Sequence, residues 1–98
     1  MPSAMSIQVL PATDASKDEI YRLVDLAIAK IKESGLAYIV GPFETTVEGD
    51  LERLFALARQ AHEAVVKESG GRVFTYIKIA TAPDLGTSAE KVAKYRNE

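Results

Sequence analysis

The stretch Ile31-Lys32-Glu33-Ser34-Gly35 returns 35 residues later as Val66-Lys67-Glu68-Ser69-Gly70, and each copy closes an apolar stripe of helical period and opens onto a β-prone run. Two strand-helix-strand halves are the simplest reading. Ahead of the first helix, Met5, Ile7 and Val9 alternate with Ser6 and Gln8, the two-residue period of a half-buried strand that Pro11 is expected to end. Ser16 and Glu19 have the spacing of a capping box, and Ile20, Leu23, Val24, Ala27, Ile28 and Ile31 supply the stripe of a helix over 16–34. Tyr38–Phe43 and Thr45–Glu48 read as two strands of a hairpin bent by Gly41-Pro42. Asp50 caps a second helix with Leu51, Leu54, Phe55, Ala58, Ala61, His62 and Val65 on its apolar side, ended by Gly70-Gly71. Arg72–Thr81 alternates again as a fourth strand, and the Thr87/Glu90 pair opens a short helix running to about Arg96.

Because β-α-β crossovers are almost always right-handed, two such halves fold most simply into a four-stranded antiparallel sheet with both helices on one face. The expectation is one α+β domain over 1–98, a ferredoxin-like βαββαβ sandwich with a short C-terminal helix. Ninety-eight residues cannot supply two independent cores, and 47% hydrophobic with 27% charged residues is the balance of an ordinary folded domain. The helices leave the other sheet face bare. On the last strand that face carries Phe74, Tyr76 and Lys78, so a partner or a ligand is required to cover it, and a second copy of the chain is preferred.

Composition narrows the function classes. A net charge of -2 offers no electrostatic footprint for nucleic acid. The chain has no cysteine, so disulfides, thiolate nucleophiles and thiolate metal sites are excluded. Residues 1–10 lack the basic opening and apolar run of a leader, and no segment approaches the roughly 20 apolar residues of a membrane span. A cytoplasmic protein is expected.

His62 is the single histidine, which excludes paired histidine ligation; its place in a helical stripe favours a partly buried, hydrogen-bonded residue over a general base. No serine lies in a nucleophile elbow, and the acidic residues concentrate at helix ends, where the helix dipole favours them. Gly70-Gly71 lacks the lysine and hydroxyl of a phosphate loop and reads as a turn. Neither a catalytic group nor a metal or cofactor is assigned. More informative is Thr45-Thr46-Val47-Glu48-Gly49, two hydroxyls and a carboxylate on a strand leading directly into a helix. Successive strand residues face opposite ways, so only one of Thr45 and Thr46 can share a polar nook with Glu48, and that nook is expected where the strand meets the second helix.

Taken together, Gly41-Pro42-Phe43, Thr45 to Gly49, Ala61 to Val65 and Arg72 to Ile79 resemble the thiamine-binding protein family (UPF0045/DUF77), most specifically in the T-x-V-E-G turn and the T-x-I-K-I strand. The resemblance spans nearly the whole chain. It implies the ferredoxin-like fold, dimers that pair as tetramers through their sheets, and non-catalytic binding of thiamine or its hydroxymethylpyrimidine portion. Glu44 departs from the pattern, which commonly has a small residue there, and bears on the hairpin or the mouth of the pocket. An aminopyrimidine edge suits a carboxylate and a hydroxyl, and its flat face suits an aromatic ring. The implied ligand-binding residues are therefore Glu48, Thr45 or Thr46, and Phe43, Tyr38 or Tyr76. Three other functions compete: a dimeric enzyme using His62, an oligomeric interaction module without a small ligand, and an RNA-binding sheet, the last lacking the glycine-flanked basic-aromatic strand it needs.

Overall fold

The computed structural model describes residues 1–12 and 14–96. In chain order it contains β1 (Ser3–Ala12), α1 (Lys17–Glu33), β2 (Ala37–Val40), β3 (Thr45–Gly49), α2 (Leu51–Ser69), β4 (Arg72–Thr81) and α3 (Ser88–Val92), which runs into a 3-10 turn at Ala93–Tyr95. The sheet is antiparallel with strand order β2-β3-β1-β4. This is the βαββαβ order of a ferredoxin-like α+β sandwich, with the core between the sheet and α1 and α2.

Each helix begins and ends for a local reason. Ser16 accepts a hydrogen bond from the Glu19 backbone N–H and Asp50 accepts one from Arg53 N–H, each satisfying one of the unpaired donors of a first turn. The capping box expected at Ser16 is only half made, because the Glu19 carboxylate turns outward to Arg22. The reciprocal pair is complete at Thr87 and Glu90. The repeated Lys-Glu-Ser-Gly endings are helix stops: Gly35 and Gly70 both adopt positive φ, of 77° and 63°, a conformation costly for any residue with a Cβ.

Met5, Ile7 and Val9 from β1 meet Leu23, Ala27 and Ile31 of α1, Leu54, Leu57, Ala61 and Val65 of α2, and Val47 of β3, all buried. Each large apolar side chain removed from water contributes about 1.5–3 kcal/mol before conformational entropy is set against it. Two expected core residues lie outside: Leu51 and Phe55 are exposed, and Leu57 takes the inward place. α2 is rotated so that 54, 57, 58, 61 and 65 define its buried stripe, and 51 and 55 fall on its edge.

Pro11 does not end β1. The strand starts at Ser3, earlier than expected, and continues to Ala12 against β4, whereas its pairing with β3 stops at Ile7. From Gln8 onward β1 has one neighbour, and a residue without an N–H is tolerated on the vacated side. β2 is also shorter than expected. It ends at Val40, and the chain bends through Pro42 and Phe43, held by a 2.9 Å bond from Gly41 N–H to Glu44 C=O.

Candidate functional site

The mismatch in strand length opens a cavity of about 300 Å³ on the helix side of the sheet. Its floor is β1 from Ile7 to Leu10, its wall is the hairpin turn from Val40 to Thr45, and its roof is α1, which contributes Ile20, Tyr21, Val24 and Ile28. Ile20, Val24 and Ile28 form one row along α1 and are only partly buried, since β3 does not continue alongside β1 past Ile7 to complete the core. The volume falls at the lower bound of small-molecule sites and accommodates a single ring system.

Two of the expected binding residues meet here. Thr45 is 6% exposed and lies opposite Ile7, so it shares the helix-facing side of the sheet. Phe43 stands at the lip of the same cavity and is 80% exposed, an aromatic ring with nothing stacked on it among the described residues. Glu44 also borders the opening, but its carboxylate reaches 3.7 Å from Lys78 Nζ on the bare face, away from the cavity.

Thr46 and Glu48 lie on that bare face, as alternation requires: Thr46 is opposite Ser6, and Glu48 opposite Ala4. The polar nook exists, but it is not built against α2. Glu48 Oε1 accepts the backbone N–H of Ser88, so the nook's other wall is the start of α3. A recess of about 130 Å³ lies between Thr46, Glu48 and Ile39 on one side and Thr87 to Ala89 on the other. Tyr38 borders it too, although its pairing with Val47 puts its side chain on the helix-facing side of β2. A second recess of about 210 Å³ runs from Glu48 toward Pro2 and Leu85.

Tyr76 joins neither group. It lies opposite Gln8 on β4, at the sheet edge farthest from β2, where it is 58% exposed beside Phe74. The six residues therefore divide among the α1 cavity (Phe43, Thr45), the α3 recess (Thr46, Glu48, Tyr38) and the open sheet face (Tyr76). Sequence reading missed Tyr21, Val24 and Ile28 as cavity residues. The one available signal was the apolar row Ile20, Val24 and Ile28 at four-residue spacing on α1, which the sequence alone does not tell from core.

His62 Nδ1 is 2.6 Å from Thr75 Oγ1, partly buried between α2 and β4 and outside all of these recesses. Between Glu19 and Arg22, paired hydrogen bonds hold the carboxyl below its usual range and the guanidinium above its own. That pair lies exposed on α1.

The model of the thiamine-binding protein family matches residues 5–96. The chain belongs to that family. It is 37% identical over 92 residues to a UPF0045 protein of Clostridium perfringens, covering 94% of this chain and 95% of the relative. Among solved structures, a DUF77 domain of unknown function from Bacillus cereus superposes with a TM-score of 0.83 at 39% identity, covering 99% of this chain and 92% of the other. A Thermotoga maritima protein whose suggested role is thiamine biosynthesis or salvage superposes with a TM-score of 0.85 at 31% identity, covering 98% and 100%. Family membership links the chain to thiamine. No helix is long and apolar enough to cross a membrane among the described residues.

Proposed function

We propose that this protein binds thiamine or its hydroxymethylpyrimidine portion in the cavity beneath α1, without transforming it, as a cytoplasmic homo-oligomer. The observation that carries the reading is the meeting of Thr45 and Phe43 at an apolar, ring-sized cavity, in a chain of the thiamine-binding family. Thr45 supplies a hydroxyl to the pyrimidine edge, and Phe43 folds over the ring face. The α3 recess with Glu48, Thr46 and Tyr38 is the competing location; it is smaller, and Glu48 is already engaged by Ser88. The absence of catalysis is supported by His62, whose ring is committed to Thr75 away from either location.

The exposed band of Leu10, Phe74 and Tyr76 supports self-association through the sheet. An oligomeric interaction module without a small ligand would use that same band and leave the α1 cavity idle. Thermal-shift and calorimetric titration with thiamine, its phosphates and hydroxymethylpyrimidine tests the proposal. A ligand at a hundred times its dissociation constant stabilises the native state by about 2.7 kcal/mol, and a flat response to all of them refutes it.

A further inference from the structure

The backbone of β1 presents an unmatched hydrogen-bonding edge to the α1 cavity. Pro2 C=O accepts from Ala82 N–H at 3.3 Å, one step before the Ser3–Thr81 pair. In an antiparallel ladder the direction of the main-chain groups alternates, so even-numbered residues of β1 point toward β4 and odd-numbered ones toward β3. The Gly41–Glu44 bond fixes the same alternation from the other side. It directs the even-numbered positions of β3 and its approach at β2 and leaves Gly49, Val47 and Thr45 for Ser3, Met5 and Ile7. Val9 is the next odd position. Where its β3 partner would stand, the chain has already turned away at Pro42 and Phe43. Among the described residues no group pairs with Val9 N–H or C=O on that side.

Val9 is 6% exposed and lines the cavity, so this donor and acceptor border a mainly apolar, half-open space. A polar main-chain pair left unmatched in such a place costs stability, and native chains rarely carry one without a partner. We infer that Val9 N–H and C=O are the recognition edge of the cavity, and that they read a flat heteroaromatic ring bearing a ring nitrogen beside an exocyclic amine. One extended residue offers a donor and an acceptor side by side. An aminopyrimidine is its complement: the ring nitrogen accepts from Val9 N–H while the amine donates to Val9 C=O. The ring in effect replaces the missing residue of β3, with Phe43 and Tyr21 beside its faces. Discrimination then lies in the backbone, where no side-chain motif records it.

This inference rests on the proposal that the cavity takes an aminopyrimidine. Two measurements separate their fates: hydrogen exchange at the Val9 amide by NMR, with and without thiamine or hydroxymethylpyrimidine, and calorimetry with the corresponding oxo analogue. In that analogue a carbonyl replaces the amine and the adjacent ring nitrogen carries a proton, so donor and acceptor are reversed at constant size and shape. The expected result is protection of Val9 by the amino compounds and roughly tenfold or weaker binding of the oxo compound, because a reversed edge leaves buried groups opposed. Equal affinity for the two, or amino-compound binding that leaves Val9 exchange unchanged, overturns the role of Val9 while the thiamine reading stands. No binding of any aminopyrimidine overturns both.

Discussion

His62 Nδ1 and Thr75 Oγ1, 2.6 Å apart, tie the middle of α2 to β4 across the edge of the core. A structural role for the histidine is expected from this contact. Replacing it with alanine removes one half-buried hydrogen bond, and a loss of about 1 kcal/mol is expected in denaturant unfolding. Thiamine affinity in His62→Ala should match the parent by calorimetry. A loss of binding or of any turnover would revive the enzyme alternative.

The rotation of α2 separates two residues that its sequence stripe treats alike. Leu54 is fully buried and Phe55 is half exposed. Leu54→Ala is expected to cost about 2–5 kcal/mol, from lost burial plus the cavity left behind. Phe55→Ala, despite the larger truncation, should stay near 0.5 kcal/mol in the same urea titration.

Glu48 accepts the backbone N–H of Ser88, the first residue of α3. Glutamine keeps an acceptor oxygen there and alanine does not. Amide exchange at Ser88 should accelerate in Glu48→Ala and stay near the parent rate in Glu48→Gln. Affinity separates the two candidate locations: Thr45→Val should weaken thiamine binding roughly fivefold to tenfold, whereas Glu48→Gln should leave it unchanged if the α1 cavity is the site.

The Glu19 carboxylate takes two hydrogen bonds from Arg22, at 2.9 and 2.6 Å, which lower its pKa in the folded chain. A carboxyl with a depressed folded pKa adds stability that is present above its unfolded pKa and lost as pH falls through the folded one. The pair is exposed, so the effect is small and screened by salt. Thermal melts of the parent and Glu19→Gln should differ slightly at neutral pH and low salt. That difference should vanish both at strongly acidic pH and at high ionic strength.

Phe74 and Tyr76 project from β4 onto the bare face, 49% and 58% exposed. Replacing both with serine should lower the mass measured by light scattering to that of one chain, while circular dichroism stays unaltered. A parent protein that is already monomeric would remove self-association from the proposal.

Much of the fold was legible because its signals are local. The alternation of Met5, Ile7 and Val9, the caps at Ser16, Asp50 and Thr87, and the glycine stops at 35 and 70 each act within a turn or a few strand residues. The errors came where a distant element decides. Pro11 looked like the end of a strand because nothing near it shows that β3 stops opposite Ile7. Leu51 and Phe55 belong to a stripe wide enough for two rotations of α2, and packing against β1 selects one. The faces of Thr45 and Thr46 followed from alternation, but α3 reaching back to Glu48 spans 40 residues and no spacing rule reveals it. The cavity itself arises from a difference in strand length, visible only once the register is set.

That same difference bears on how the chain avoids its own kind of misassembly. An unflanked stretch of strand is a template onto which foreign chains can zip, and proteins blunt such ledges with proline. On the ledge from Gln8 to Ala12 the outward-pointing positions are Val9 and Pro11, so a single amide proton is on offer. That is too little to nucleate a cross-chain ladder.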